Sequence, residues 1–350
     1  MKKFKINGKI IGENHKCYII AEIGNNHNGN KETAKELIKA AADSGADAVK
    51  FQTFKALDIV SPHVKSNAYS GWDVSDRFEY WYQFVETLEM PLEWYDELIE
   101  LTRKLDLAFI STPASLEAAK FLSEKSIDAI KIASMDLNNY PFLSEVDALG
   151  LPVIISTGMS TLKEITKAVK QFKKSPLCLL HCVSDYPLDY KDANLLNIKM
   201  LFENFNVPVG FSNHALGNDL DILAVSLGAD IIEKHFTLDR KSEHIAEHHF
   251  SMTPAELEKM IKKLNNTKEA LGSYSRNIDG KEKKNKQKFR RSLYAKRDLP
   301  KNKIIKKEDI VALRPGVGLK PEIASKIIGM RANRDIKSFK LLKLEYFSKH

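Results

Sequence analysis

No apolar run in the 350-residue sequence approaches the roughly 18 residues that a membrane-spanning helix needs, so no membrane partner is expected. The opening MKKFKINGKII has lysines but neither a following apolar stretch nor a small-residue cleavage site, so no secretory signal is expected. Cysteine is scarce and odd in number, and Cys17, Cys178 and Cys182 all sit within apolar stretches. That excludes a disulfide framework and points to buried thiols in a reducing compartment, with the cytoplasm as the expected location. A dinucleotide-binding glycine fingerprint is missing, because GNNHNG at 24–29 has the wrong spacing. The net charge of +8 is unevenly placed: KEKKNKQKFRR at 281–291 holds seven basic residues and one acid. That run lacks the interleaved aromatics that stack on bases and matches no reading motif, so it reads as a solvated linker and no nucleic-acid partner is expected.

What remains is an ordinary globular composition, 43% hydrophobic and 29% charged, in a chain long enough for one large domain and a small one. An Asn-Gly pair at 7–8 predicts a tight N-terminal hairpin. Short apolar runs then alternate with stretches of helical periodicity. Strands are expected at 18–23, 46–52, 108–111, 129–132, 152–156, 177–181, 207–211 and 230–233. Helices are expected at 31–44, 92–104, 115–123, 141–149, 162–172, 195–204, 217–228 and 254–271. Eight strands alternating with eight helices predict an α/β fold, a (β/α)8 barrel, although recurrence alone does not separate a closed barrel from an open doubly wound sheet. The insertion 56–90 is rich in aromatics (Tyr69, Trp72, Phe78, Tyr80, Trp81, Tyr82, Phe84), and we expect it to be partly helical and to cover something. The organisation expected is a barrel domain with its hairpin at 1–272, a basic linker at 273–290 and a small module at 291–350.

In such barrels the chemistry sits at the C-terminal rim of the strands. His214 and His235 fall just past the last two strands, on consecutive elements of one strand–helix–strand unit. Beside Ser212 and Lys234 they read either as a divalent-metal site (Mn2+ or Mg2+) with positions open for water or substrate, or as two unrelated rim histidines, one packed and one solvated. The other strand ends bring Glu22, Lys50, Gln52, Thr112, Lys131, Ser134, Asp136, Ser156, Thr157, His181, Ser184, Asp185, Tyr186 and Asn213. Several lysines and many hydroxyls against few carboxylates suit a ligand bearing phosphate and carboxylate, since each desolvated anion needs a cation or donor.

The runs AEIGNNHNG (21–29), VKFQTF (49–54), ISTP (110–113), KIASMDLNNYP (131–141), STGM (156–159), LHCVSDYP (180–187), GFSNH and EKHFTLDR resemble the sialic acid synthase family, which includes N-acetylneuraminate, legionaminate and pseudaminate synthases. The small module, with ALRPGVG, resembles that family's C-terminal antifreeze-like (SAF) domain. The resemblance spans nearly the whole chain in order. It implies condensation of phosphoenolpyruvate with an open-chain N-acetylated aminosugar, giving a nine-carbon 2-keto-3-deoxy acid and phosphate, with a metal on His214 and His235 polarising the aldehyde. By the same resemblance Lys50, Gln52, Thr112, Lys131, Ser134, Ser156, Ser184 and Ser212 would bind phosphoenolpyruvate, together with His214. Asp136 or Glu22 would be the base for water addition. Glu22, Tyr186 and Glu247 would meet the sugar, and Arg314 would reach it from a partner subunit, which implies a domain-swapped homodimer.

Some positions depart from the family's pattern. Met135 and Asp136 stand where Gly and Glu are frequent, Ser184 where Asn is common, and Asn213 where Asp is common. A Gly-Pro-Asp run is replaced by IAEHH at 245–249, whose His248 and His249 read as a solvated loop pair. These changes bear on the sugar more than on phosphoenolpyruvate. Two rival expectations remain: another phosphoenolpyruvate-dependent aldol-type sugar acid synthase, and a carbohydrate-binding homologue without catalysis.

Overall fold

The computed structural model describes residues 3–12, 15–68, 74–242 and 247–349. It divides into two compact units, Met1–Gly272 and Ser273–His350. Among the described residues no helix is long and apolar enough to cross a membrane.

The first unit opens with a hairpin of β1 (Phe4–Ile6) and β2 (Lys9–Ile11), paired antiparallel with Phe4 opposite Ile11. Asn7 and Gly8 both take positive φ, 44° and 72°, as a type I′ turn demands. Eight parallel strands follow: β3 (Tyr18–Glu22), β4 (Ala48–Thr53), β5 (Ala108–Pro113), β6 (Ala129–Ile132), β7 (Val153–Ser156), β8 (Leu177–Cys182), β9 (Val209–Asn213) and β10 (Ile231–His235). They close into a barrel in chain order, β10 pairing with both β9 and β3. The closed barrel excludes the open sheet that strand recurrence had left in play.

Both faces of every barrel strand are buried, so the strands are apolar nearly throughout. Alternate residues sort the two faces. Tyr18, Ile20, Ala48, Ile110, Ile154, Leu180 and Ile231 fill the interior, where Ile6 and Ile11 of the hairpin join them and plug the end opposite the rim. Ile19, Ala21, Val49, Phe51, Phe109, Ile130, Leu179 and Phe211 face the surrounding helices. Each large side chain withdrawn this way contributes about 1.5–3 kcal/mol. The apolar interior stops partway up, and the upper interior positions are polar.

The aromatic insertion carries two short helices, Ala56–Ile59 and Trp81–Glu86. It has its own cluster of Phe54, Ala56, Val60, Val74, Phe84 and Val85. Tyr69 and Trp72 lie outside the described residues.

In the second unit the basic run expected as a linker contains the helix Gly280–Phe289. It buries nothing; lysine, glutamate and glutamine are good helix formers, and propensity carries it without packing. Ser292–Ala295 pairs antiparallel with Ile310–Leu313 around a core that includes Leu293, Leu299, Ile305, Leu342 and Phe347. A last short strand pair joins Arg331–Ala332 to Phe347–Ser348.

Candidate active site

Period-two alternation decides what enters the barrel mouth. With Ile20 inside, Glu22 is inside; with Ala48 inside, so are Lys50 and Gln52. The same rule turns Thr112, Lys131, Ser156, Ser212, Glu233 and His235 inward, and the loops add Ser134, Ser184, Tyr186, His214 and Glu247. All of these line one cavity of about 410 Å³. Of the fifteen residues expected to catalyse, hold metal or bind substrate, only Asp136 and Arg314 lie outside that lining; the other rim residues named from the sequence, Thr157, His181, Asp185, Asn213 and Lys234, lie outside it too.

At the centre is a row of buried charges. The Lys50 ammonium stands 3.0 Å from Glu22 Oε2 and 3.6 Å from Glu233 Oε1. Glu233 accepts the Ser212 hydroxyl at 2.9 Å and lies 3.9 Å from Lys131 Nζ. Lys131 donates to Ser156 Oγ at 2.5 Å and to the Ile132 carbonyl at 3.2 Å. Gln52 Nε2 donates to Glu22 Oε1 at 3.2 Å. Burial opposes the charged form of Glu233, but Lys131 and Lys50 override it and hold its pKa below the ordinary carboxylate value. Glu22 goes the other way, raised by burial against the pull of Lys50. Burial also lowers Lys131, while the flanking carboxylates keep Lys50 high despite its burial.

The imidazoles of His214 and His235 stand side by side on neighbouring strands, ring centroids 5.5 Å apart. His214 Nδ1 lies 2.8 Å from the Val183 carbonyl, which only accepts, so Nδ1 carries the proton and Nε2 keeps its lone pair. Burial, with help from His235, depresses the His214 pKa to about 3 and keeps the ring neutral. For His235, burial is outweighed by Glu247, whose Oε2 lies 3.0 Å from Nδ1, and its pKa is raised. Among the described residues no three or more of His, Cys, Asp and Glu form a metal cage, so the protein would supply a cation with two imidazoles and leave its other positions to water and substrate. The donor set fits that role. His214 has the fixed tautomer of a metal-ligating histidine. Around the pair, Glu233 Oε2 is buried without a hydrogen-bond partner among the described residues, while Glu22 Oε2 and Glu247 Oε2 face only Lys50 and His235.

At the other side of the mouth, the Gly158 N–H donates to Ser134 Oγ at 3.1 Å and to Cys182 Sγ at 3.2 Å. A Cβ on Gly158 would fall 2.5 Å from Ser184 Oγ and 2.8 Å from Ser134 Oγ, so only glycine lets the backbone close on these hydroxyls. Gly158, Cys182 and Glu233 were not picked out from the sequence, where Lys234 stood in the place of Glu233. Lys234 is buried on the outer face of β10, against Asp221 and the Ala215 carbonyl. If His235 faces inward, the residue before it cannot, and the residue two before it must; that signal was available in the sequence.

Other expectations fare differently. Asp136 lies on the 3-10 turn Ser134–Asp136; it is half-buried, and desolvation pushes its pKa up to about 6. Of the two carboxylates expected as the base, Glu22 is the one in the cavity. His248, expected in solvent, is buried, with Nδ1 2.7 Å from Thr237 Oγ1 and Nε2 2.8 Å from Asn28 Oδ1, whereas His249 is exposed. Ile245 and Ala246 lie outside the described residues. Arg314, in the second unit, is exposed and lays its guanidinium 5.3 Å from the centroid of the Phe289 ring.

The chain matches the NeuB family over residues 37–276 and the SAF domain over residues 290–338. It is 39% identical to the N,N'-diacetyllegionaminic acid synthase of Legionella pneumophila over 95% of each chain. It is 36% identical to the pseudaminic acid synthase of Campylobacter jejuni, over 92% of this chain and 94% of that one. Among solved structures, the N-acetylneuraminic acid synthetase of Leptospira borgpetersenii superposes with a TM-score of 0.72 at 33% identity, covering 81% of this chain and 95% of that one. With a family match over most of the barrel unit and full-length relatives well above 30% identity, the chain belongs to the NeuB family and carries a SAF domain at its C-terminus.

Proposed function

We propose that the chain is a nonulosonate synthase that condenses phosphoenolpyruvate with an open-chain N-acetylated aminosugar, releasing inorganic phosphate and a nine-carbon 2-keto-3-deoxy acid. The observation that carries this reading is the cavity itself: buried ammonium groups and serine hydroxyls on one side, paired imidazoles on the other. A small trianion and an aldehyde call for those two halves.

In this reading Lys50 and Lys131 neutralise the phosphoenolpyruvate carboxylate and phosphate, and Ser134, Ser156, Ser184, Ser212, Thr112 and Gln52 offer hydrogen bonds. Held there, its C3 attacks the aldehyde carbon of the acceptor and a carbon–carbon bond forms. Cationic character appears at C2, water adds to it, and the tetrahedral species collapses by breaking the C2–O bond, with phosphate leaving and the ketone remaining. Glu22, whose pKa burial raises against the pull of Lys50, would take the proton from the entering water. A divalent cation on His214 and His235 would supply Lewis acidity to the aldehyde oxygen. Tyr186 and Glu247 border the acceptor side, and Arg314 of a second copy would complete it, as the family resemblance implies.

The test is phosphate release from phosphoenolpyruvate across a panel of acceptors: N-acetylmannosamine and the 2,4-diacetamido-2,4,6-trideoxy hexoses. Release with one of them, abolished by EDTA, restored by Mn2+ and absent in His235→Ala, is the expected result. Binding of sugar without phosphate release from any acceptor would refute the synthase reading, and turnover surviving both EDTA and His235→Ala would refute the metal.

A further inference from the structure

Behind the barrel wall, on the strand faces turned away from the cavity, three fully buried polar side chains meet: Asn213 of β9, Lys234 of β10 and Asp221 of the helix Asp219–Ser226. Asn213 Nδ2 donates to Asp221 Oδ1 at 2.8 Å, and Asn213 Oδ1 accepts the Ala215 N–H at 2.8 Å. The Lys234 ammonium donates to the Ala215 carbonyl and stands 3.9 Å from Asp221 Oδ2. Both backbone groups of Ala215 are therefore held by side chains. His214, one residue before, has its carbonyl held by the Leu188 N–H at 3.2 Å and its Nδ1 by Val183 at 2.8 Å.

None of the three lines the cavity. A buried ion pair is seldom worth more to stability than well-packed apolar side chains of the same volume. Here its bonds fall on the loop backbone that carries one imidazole of the pair. We propose that Asn213, Asp221 and Lys234 are positioning residues that set His214 in the ring placement a metal ion requires; the proposal rests on the cation reading given above. The amide is the decisive member. It donates to Asp221 and accepts from Ala215 at once, whereas a carboxylate of the same shape only accepts and would set two carboxylates against one ammonium. The geometry thus makes an aspartate at 213 the wrong residue here, unless position 221 changes with it.

The test compares the full chain with N213D and with the exchanged pair N213D/D221N, which restores one amide facing one carboxylate. Two readouts are taken. In 15N-histidine-labelled, metal-free protein, the Nδ1–H of His214 bonded to Val183 is expected as a slowly exchanging downfield proton, lost or displaced in N213D and recovered in the exchanged pair. By titration calorimetry, N213D is expected to weaken Mn2+ binding by about tenfold or more, and the exchanged pair to return it to within roughly threefold of wild type. If N213D does not fold, Asn213→Ala, which adds no charge, is read in the same two ways. An unmoved imidazole proton with unchanged Mn2+ affinity in the single variant, or no recovery in the exchanged pair, overturns the proposal. Wild-type protein that takes up no Mn2+ sinks the cation reading alone, and the imidazole resonance then decides the positioning by itself.

Discussion

Glu233 offers the sharpest test of how the cavity is balanced. Its carboxylate lies 3.6 Å from Lys50 and 3.9 Å from Lys131, all three groups buried. At an effective dielectric of about 20, each such pair is worth roughly 4–5 kcal/mol of attraction before desolvation is counted. Glu233→Gln keeps the shape and the acceptor for Ser212 but removes the charge. Lys50 retains Glu22 at 3.0 Å, whereas Lys131 is left with neutral partners, Ser156 and the Ile132 carbonyl. Breaking one side of a buried pair costs about 3–5 kcal/mol. For a unit of this size that is a fall in melting temperature of roughly 6–12 °C. Scanning calorimetry in phosphate-free buffer measures it. Inorganic phosphate should then raise the melting temperature of the variant more than that of wild type, because the anion supplies the counter-charge Lys131 has lost. A variant melting within roughly 2 °C of wild type, with both lifted equally by phosphate, would refute the reasoning.

Gly158→Ala should weaken phosphoenolpyruvate binding while leaving the acceptor's KM nearly unchanged, because its Cβ would land 2.5 Å from Ser184 Oγ; saturation kinetics in both substrates separate the two. Arg314→Ala should do the reverse, raising the KM of the acceptor and sparing phosphoenolpyruvate; a collapse of phosphoenolpyruvate affinity would sink the assignment of Arg314 to the sugar. Buried His27 has its pKa lowered by desolvation from 6.5 to about 4. It must therefore stay neutral in the folded state, and stability should fall as pH drops from about 6.5 to 4, by roughly 3 kcal/mol in all. Urea unfolding at neutral pH and near pH 4 checks this, and His27→Gln should flatten that part of the pH dependence. EDTA treatment and His235→Ala should each abolish phosphate release, which a coupled phosphate assay follows.

The legible part of this protein is the part written locally. Strand–helix alternation needs only nearby residues, and each strand announces its rim end by a change from apolar to polar, as IIEKHF does at 231–236. The two histidines fall in register because their strands are consecutive and pair in parallel, Ile232 with Phe211 and Lys234 with Asn213. The Asn-Gly turn, too, is dictated by its two residues. Harder to read was which of two adjacent polar residues faces the cavity. Strands buried on both sides show no amphipathic alternation, so Glu233 and Lys234 look alike in the sequence, and only the inward turn of His235 separates them. His248 was misjudged for a related reason: its partners, Thr237 and Asn28, lie 11 and 220 residues away. Nothing near it in the chain tells a buried, doubly bonded imidazole from a solvated one.

By itself, then, the sequence determined the order and kind of the elements, the N-terminal hairpin and the concentration of lysines, hydroxyls and imidazoles at strand ends, because these follow from backbone propensity and from the period of apolar residues. Closure of the barrel decided the rest. It brought Glu22 of the first barrel strand against Lys50 and beside His235 of the last, turned Asp136 out of the cavity lining, and set Asn213, Asp221 and Lys234 together behind the wall. Electrostatic balance at such a site is a sum over charges from several strands within a few ångströms, and only the folded ring places them within range of one another.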